Sequence, residues 1–115
     1  MSFLDHLSPD GITRSFNDAA SGYARSEAIV VLYLQRARNA KRIYVEIKGT
    51  RAIMVSSYDR NSVLHATCEF QMEVMKLTLE DRRISGKDVS FVEADKMGIK
   101  ETDAEEVKAI DKVYN

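Results

Sequence analysis

The sequence predicts a single α+β domain over residues 1–115, and three observations carry that prediction. The stretch RIYVEIK alternates strictly between apolar and polar side chains. The stretch from Asn61 to Arg83 instead repeats its apolar residues at helical spacing. Glycine and proline number five and one, against about fourteen together at average usage, which leaves little chain for long irregular linkers. The expected architecture is a set of N-terminal helices, an antiparallel β-hairpin plus a third strand, a long central helix packed on that sheet, and a short C-terminal helix.

Ser8-Pro9-Asp10 reads as a helix start, with a serine cap, a proline in the first turn and an acid near the positive end of the dipole. Ile12, Phe16 and Ala19 or Ala20 supply its apolar stripe, and Ser21-Gly22 ends it. A second helix is expected from Ser26 or Glu27 to about Asn39, with Arg36, Arg38 and Lys41 at its negative end. Its middle, AIVVLYL, contains β-branched residues, so residues 28–34 read alternatively as a buried strand.

In the alternating stretch Ile43, Val45 and Ile47 point one way and Arg42, Tyr44, Glu46 and Lys48 the other. Gly49-Thr50 suits a two-residue type II′ turn, and Arg51 to Tyr58 returns as the partner strand. Lys48 and Arg51 then oppose each other at a basic hairpin tip.

Read as a helix, residues 61–83 place His65, Glu69, Glu73, Lys76, Glu80 and Arg83 on one narrow stripe. Val63, Leu64, Ala66, Thr67, Cys68, Phe70, Met72, Val74, Met75, Leu77 and Leu79 cover nearly all the rest. Two short strands are the alternative over 67–80, but the alternation slips phase at Met75 while the helical stripe continues. Arg82, Arg83 and Gly86 suit a C-terminus with a left-handed glycine. Asp88 to Ala94 reads as the third strand. Thr102 to Glu105 reads as a capping box opening a last helix, with Val107, Ile110 and Tyr114 on one face.

An ordinary surface helix needs an apolar face only somewhat wider than ~100°, so the central helix requires cover on two sides. The expected function follows: a small non-enzymatic interaction module acting as a homodimer or with a protein partner, through Leu64, Cys68, Met72, Met75 and Leu79. The alternative is a weak nucleic-acid or anion binder using Arg36, Arg38, Lys41, Arg42, Lys48 and Arg51, with Tyr44 interleaved for stacking. Residues 1–62 hold nine Lys/Arg against six Asp/Glu, while residues 63–115 hold eight against twelve. A pI of about 6.1 disfavours strong duplex binding.

No catalytic residue, metal site or cofactor is expected. His65, Glu69 and Glu73 have helical metal-ligand spacing but no further supporting ligands. Cys68 with His65 is the only thiol and base pair, and Leu64, Met72 and Met75 surround the thiol instead of cations. There is no GxSxG, no phosphate-binding glycine loop and no GxGxxG, and no motif matches a known family closely enough to name one. With one cysteine, no basic-then-apolar leader, and no apolar run near the ~20 residues that span a bilayer, the expected location is cytoplasmic, away from membranes.

Overall fold

The computed structural model describes residues 6–54 and 66–115. Among them are two α-helices, α1 over Cys68–Glu80 and α2 over Lys100–Tyr114, and two short 3-10 turns, Ala37–Asn39 and Gly86–Asp88. No β-strand forms among the described residues; the only strand-like pairing there is a single parallel bridge between Leu7 and Tyr23.

The central segment is helical, as Leu, Met, Glu and Lys favour, but it is shorter than expected. α1 has 13 residues and is therefore about 20 Å long; residues 61–65, the first part of the expected helix, lie outside the described region. Its solvated stripe is where the periodicity puts it: Glu69, Glu73, Lys76 and Glu80 are exposed. The helix ends through a left-handed residue, but Arg83 takes that role at φ 54°, not Gly86. Ile84 N–H reaches Leu79 O at 3.0 Å and Arg83 N–H reaches Glu80 O at 3.0 Å, the paired bonds of a Schellman ending.

α2 packs on α1 and begins earlier than expected. Its N-cap is Ile99, so Thr102 lies inside the helix with its Oγ1 buried and without a hydrogen bond among the described residues, and the expected Thr102–Glu105 capping box does not form. Glu105 is drawn away to accept the backbone N–H of Cys68 at 3.0 Å. A capping box does form at Ser85, whose hydroxyl accepts from Lys87 while Asp88 accepts from the Ser85 N–H. The inner face of α2 runs through Asp103, Glu106, Ala109 and Val113; Ala109 is fully buried, and Val107 is turned out and exposed.

The expected α+β arrangement is overturned. Residues 9–20 form turns held by local bonds such as Ala20 N–H to Asn17 O, not a first helix. Residues 26–36 run irregularly into one 3-10 turn, so neither the second helix nor a strand forms there. Residues 42–54 and 88–94 contain no strand; residues 55–58 of the expected return strand lie outside the described region. The reason is want of cover. A two-stranded hairpin is marginal without a third strand or a helix on its apolar face, and here Ile43, Val45 and Ile47 are 55%, 85% and 59% exposed. Ile29 to Leu34 are exposed to between 69% and 96%. The radius of gyration is 17.0 Å, where a closed domain of this length would have about 13 Å.

Candidate functional site

Two walls face each other across an open cleft of about 350 Å³, lined by Thr13, Tyr23 and Ala24 on one side and Asp95, Lys96 and Met97 on the other. The second wall is the loop that feeds α2, and two carboxylates of that helix hold its backbone. Glu106 accepts the N–H groups of Asp95 at 2.7 Å and Lys96 at 3.2 Å. Asp103, only 3% exposed, accepts Gly98 N–H at 3.1 Å and Phe16 N–H at 2.9 Å. Acceptors in the first turns of a helix take otherwise orphaned donors from the chain entering it, which is why carboxylates suit these positions.

The two walls are also joined directly. Gly22 N–H donates to Gly98 O at 2.9 Å, and the Ser15 hydroxyl donates to Lys96 O at 3.1 Å. Gly98 has φ 71°, and a Cβ there would lie 2.9 Å from Gly22 O, so only glycine lets the walls approach. Lys96 takes a left-handed conformation without being glycine, at φ 56°. Within the first wall, Thr13 Oγ1 accepts Ala24 N–H at 2.8 Å. The Asp95 side chain lines the cleft with no polar partner among the described residues, while Lys96 reaches out to Glu93 at 3.1 Å.

None of these cleft residues follows from the sequence patterns. Asp103 reads there as part of a local capping box, and its bond to Phe16 spans the chain. Gly98, three residues ahead of the first of two first-turn acids, Glu101 and Asp103, was the available signal.

The residues expected at an interface sit on α1. Cys68 is buried, with its thiol 3.7 Å from the Met72 sulfur; Met72, Met75 and Leu79 are half-buried, and Leu64 lies outside the described region. The basic residues are spread out instead of joined at a hairpin tip. Lys48 pairs with Glu46 at 2.8 Å, Arg51 pairs with Asp81 at 3.3 Å beside the end of α1, and Arg42 lies 4.7 Å over the Tyr44 ring. Arg36, Arg38 and Lys41 are exposed. His65 lies outside the described region, and among the described residues no three His, Cys, Asp or Glu side chains are grouped to hold a metal ion. No helix among them is long and apolar enough to cross a membrane.

Residues 44–115 match the family described as beta-ketoacyl synthase, C-terminal domain. The chain belongs to that family. It is 37% identical to a polyketide synthase of Dictyostelium discoideum over 97% of its own length, and 34% identical to a second over 98%. It is 31% identical to the fatty acid synthase of Anser anser anser over 93% of its length. The chain spans 4% of the length of the two polyketide synthases and 30% of the goose protein. No solved structure matches it. Membership in a family of synthases, with its thiolase-like α/β fold, overturns the expectation of a non-enzymatic interaction module and of a nucleic-acid binder.

Proposed function

We propose that this chain is one portion of the condensing domain of a polyketide or fatty acid synthase, contributing to formation of β-ketoacyl chains. The observation that carries the reading beyond family membership is the bare apolar surface of Ile29–Leu34 and of Ile43, Val45 and Ile47. Burying a Val, Leu or Ile side chain is worth about 1.5–3 kcal/mol, so eight such residues left largely in water, with Tyr33 among them, mark a surface built to be covered. On this reading the cover is protein: sheet and helices of the remainder of the synthase, with a second copy as a further source.

In this role the chain supplies one lobe of the acyl-binding cleft. Glu106 and Asp103 hold the 95–98 wall rigid, Gly98 lets it meet the Gly22 turn, and Thr13, Tyr23 and Met97 offer a mixed polar and apolar lining to a slender chain. A covalent acyl carrier needs an accessible thiolate with a basic or cationic neighbour. Cys68 is buried beside Met72, so the nucleophile belongs to the remainder of the synthase.

The test is a chimera in which this chain replaces the aligned segment of the Dictyostelium discoideum polyketide synthase. The reading expects a folded chimera that forms β-ketoacyl product. A chimera that is folded and acylated yet makes no product would contradict it.

A further inference from the structure

Arg82-Arg83-Ile84-Ser85 places two guanidinium groups just ahead of a serine hydroxyl, at the junction between α1 and the 3-10 turn Gly86–Asp88. All three polar residues are exposed. Neither guanidinium has an ion pair among the described residues, and the Ser85 hydroxyl donates no hydrogen bond there. Its oxygen only accepts a long bond of 3.3 Å from Lys87 N–H. From these observations we infer that Ser85 is a phosphorylation site for an arginine-directed serine kinase, and that its modification opens the turn against the end of α2.

Access follows from the local structure. Such kinases bind the residues before the serine in extended form and read the arginines with carboxylates. Ser85 is already extended, at φ −79° and ψ 144°. The preceding residues lie beyond the last turn of α1 and are tied down by Arg82 N–H to Leu79 O, Arg83 N–H to Glu80 O and Ile84 N–H to Leu79 O. Arg83 holds a left-handed conformation that costs an L residue energy. Helix ends of this kind fray at the low end of the stability range, so the segment is able to unwind into a kinase groove without unfolding the helices.

The reaction is phosphoryl transfer from a nucleoside triphosphate. The Ser85 Oγ–P bond forms as the bond from the γ-phosphorus to the β,γ-bridging oxygen breaks. The hydroxyl proton passes to the kinase base and the nucleoside diphosphate leaves. The consequence is electrostatic. Phosphoserine carries about −1.5 to −2 charges at neutral pH, and it would stand beside the Asp88 carboxylate, which takes the Ser85 N–H at 3.1 Å. The capping box cannot hold two such anions together. The turn lies directly on α2, since a Cβ on Gly86 would come within 2.6 Å of Val113 O, so opening the box loosens the last turn of α2.

The full chain is incubated with the catalytic subunit of cyclic-AMP-dependent protein kinase and magnesium ATP, with a peptide of residues 79–91 in parallel. Mass spectrometry is expected to find one phosphate on Ser85 of the folded chain. Ser85→Ala should lose it, and Arg82→Ala with Arg83→Ala should slow it at least tenfold. Hydrogen exchange at Lys87 and Asp88 should quicken after modification. Phosphate on the peptide but not on the folded chain would overturn the site, and unchanged exchange in the phosphorylated chain would overturn the switch.

Discussion

Asp103 and Phe16 stand 87 residues apart in sequence, and a hydrogen bond of 2.9 Å joins the buried carboxylate of one to the backbone N–H of the other. Because the second carboxylate oxygen takes Gly98 N–H, one side chain ties the N-terminal turns to the loop that feeds α2. Asp103→Asn keeps the shape but turns one acceptor into an NH₂ donor facing an N–H. Leaving a buried donor unpaired costs about 1–3 kcal/mol. The urea midpoint should fall accordingly, with hydrogen exchange at Phe16 and Gly98 rising together.

Gly98 and Gly11 provide a matched pair for separating contact from conformation. Both have a left-handed backbone, at φ 71° and 70°, but a Cβ on Gly98 meets Gly22 O at 2.9 Å while a Cβ on Gly11 meets nothing within 4 Å among the described residues. Gly11→Ala should cost only the backbone term, about 1 kcal/mol. Gly98→Ala should cost clearly more, because backbone on both sides must shift. Equal losses in thermal melts of the two variants would remove the argument that the walls need glycine to approach.

Lys96 offers the converse. Its φ of 56° is tolerated because its N–H and carbonyl are held by Glu106 and Ser15. Lys96→Gly should therefore stabilise the chain, by about 0.5–1 kcal/mol where relief of strain exceeds the added entropy of the unfolded chain. A loss of stability would mean that the Lys96–Glu93 pair outweighs the strain.

Glu105 should titrate below the usual glutamate range, first because Lys108 hydrogen-bonds it and then because Cys68 N–H does. A carboxyl whose pKa is depressed on folding stabilises the fold above its unfolded pKa, and that contribution is lost as pH falls through the folded value. The contact between the start of α1 and α2 should thus weaken on acidification. Lys108→Ala should return the Glu105 titration, followed by NMR, toward the ordinary range.

How much of this was legible in the sequence depended on how local each feature is. The helical stripe of Glu69, Glu73, Lys76 and Glu80 was legible, because it follows from spacing alone, and so was a left-handed ending, though Arg83 supplies it and not Gly86. The C-terminal helix was legible too, but its capping was not, since Glu105 serves Cys68 across the helix pair. The alternation of Ile43, Val45 and Ile47 states which side chains share a side. It does not state what covers them, and among the described residues they stay between 55% and 85% exposed. The Asp103 and Glu106 clamp was hidden for a similar reason: the backbone donors that it satisfies are chosen by the fold.

On the proposed function, Ile29–Leu34 and the 42–48 stretch are surface that the remainder of a synthase covers. Amide hydrogen exchange over residues 28–34 and 42–48 tests this most directly, measured in the chain alone and in the chain placed within the Dictyostelium discoideum polyketide synthase. Fast exchange alone, slowed at least a hundredfold in the synthase, is the expected result. Strong protection in the isolated chain, or none gained in the synthase, would contradict it.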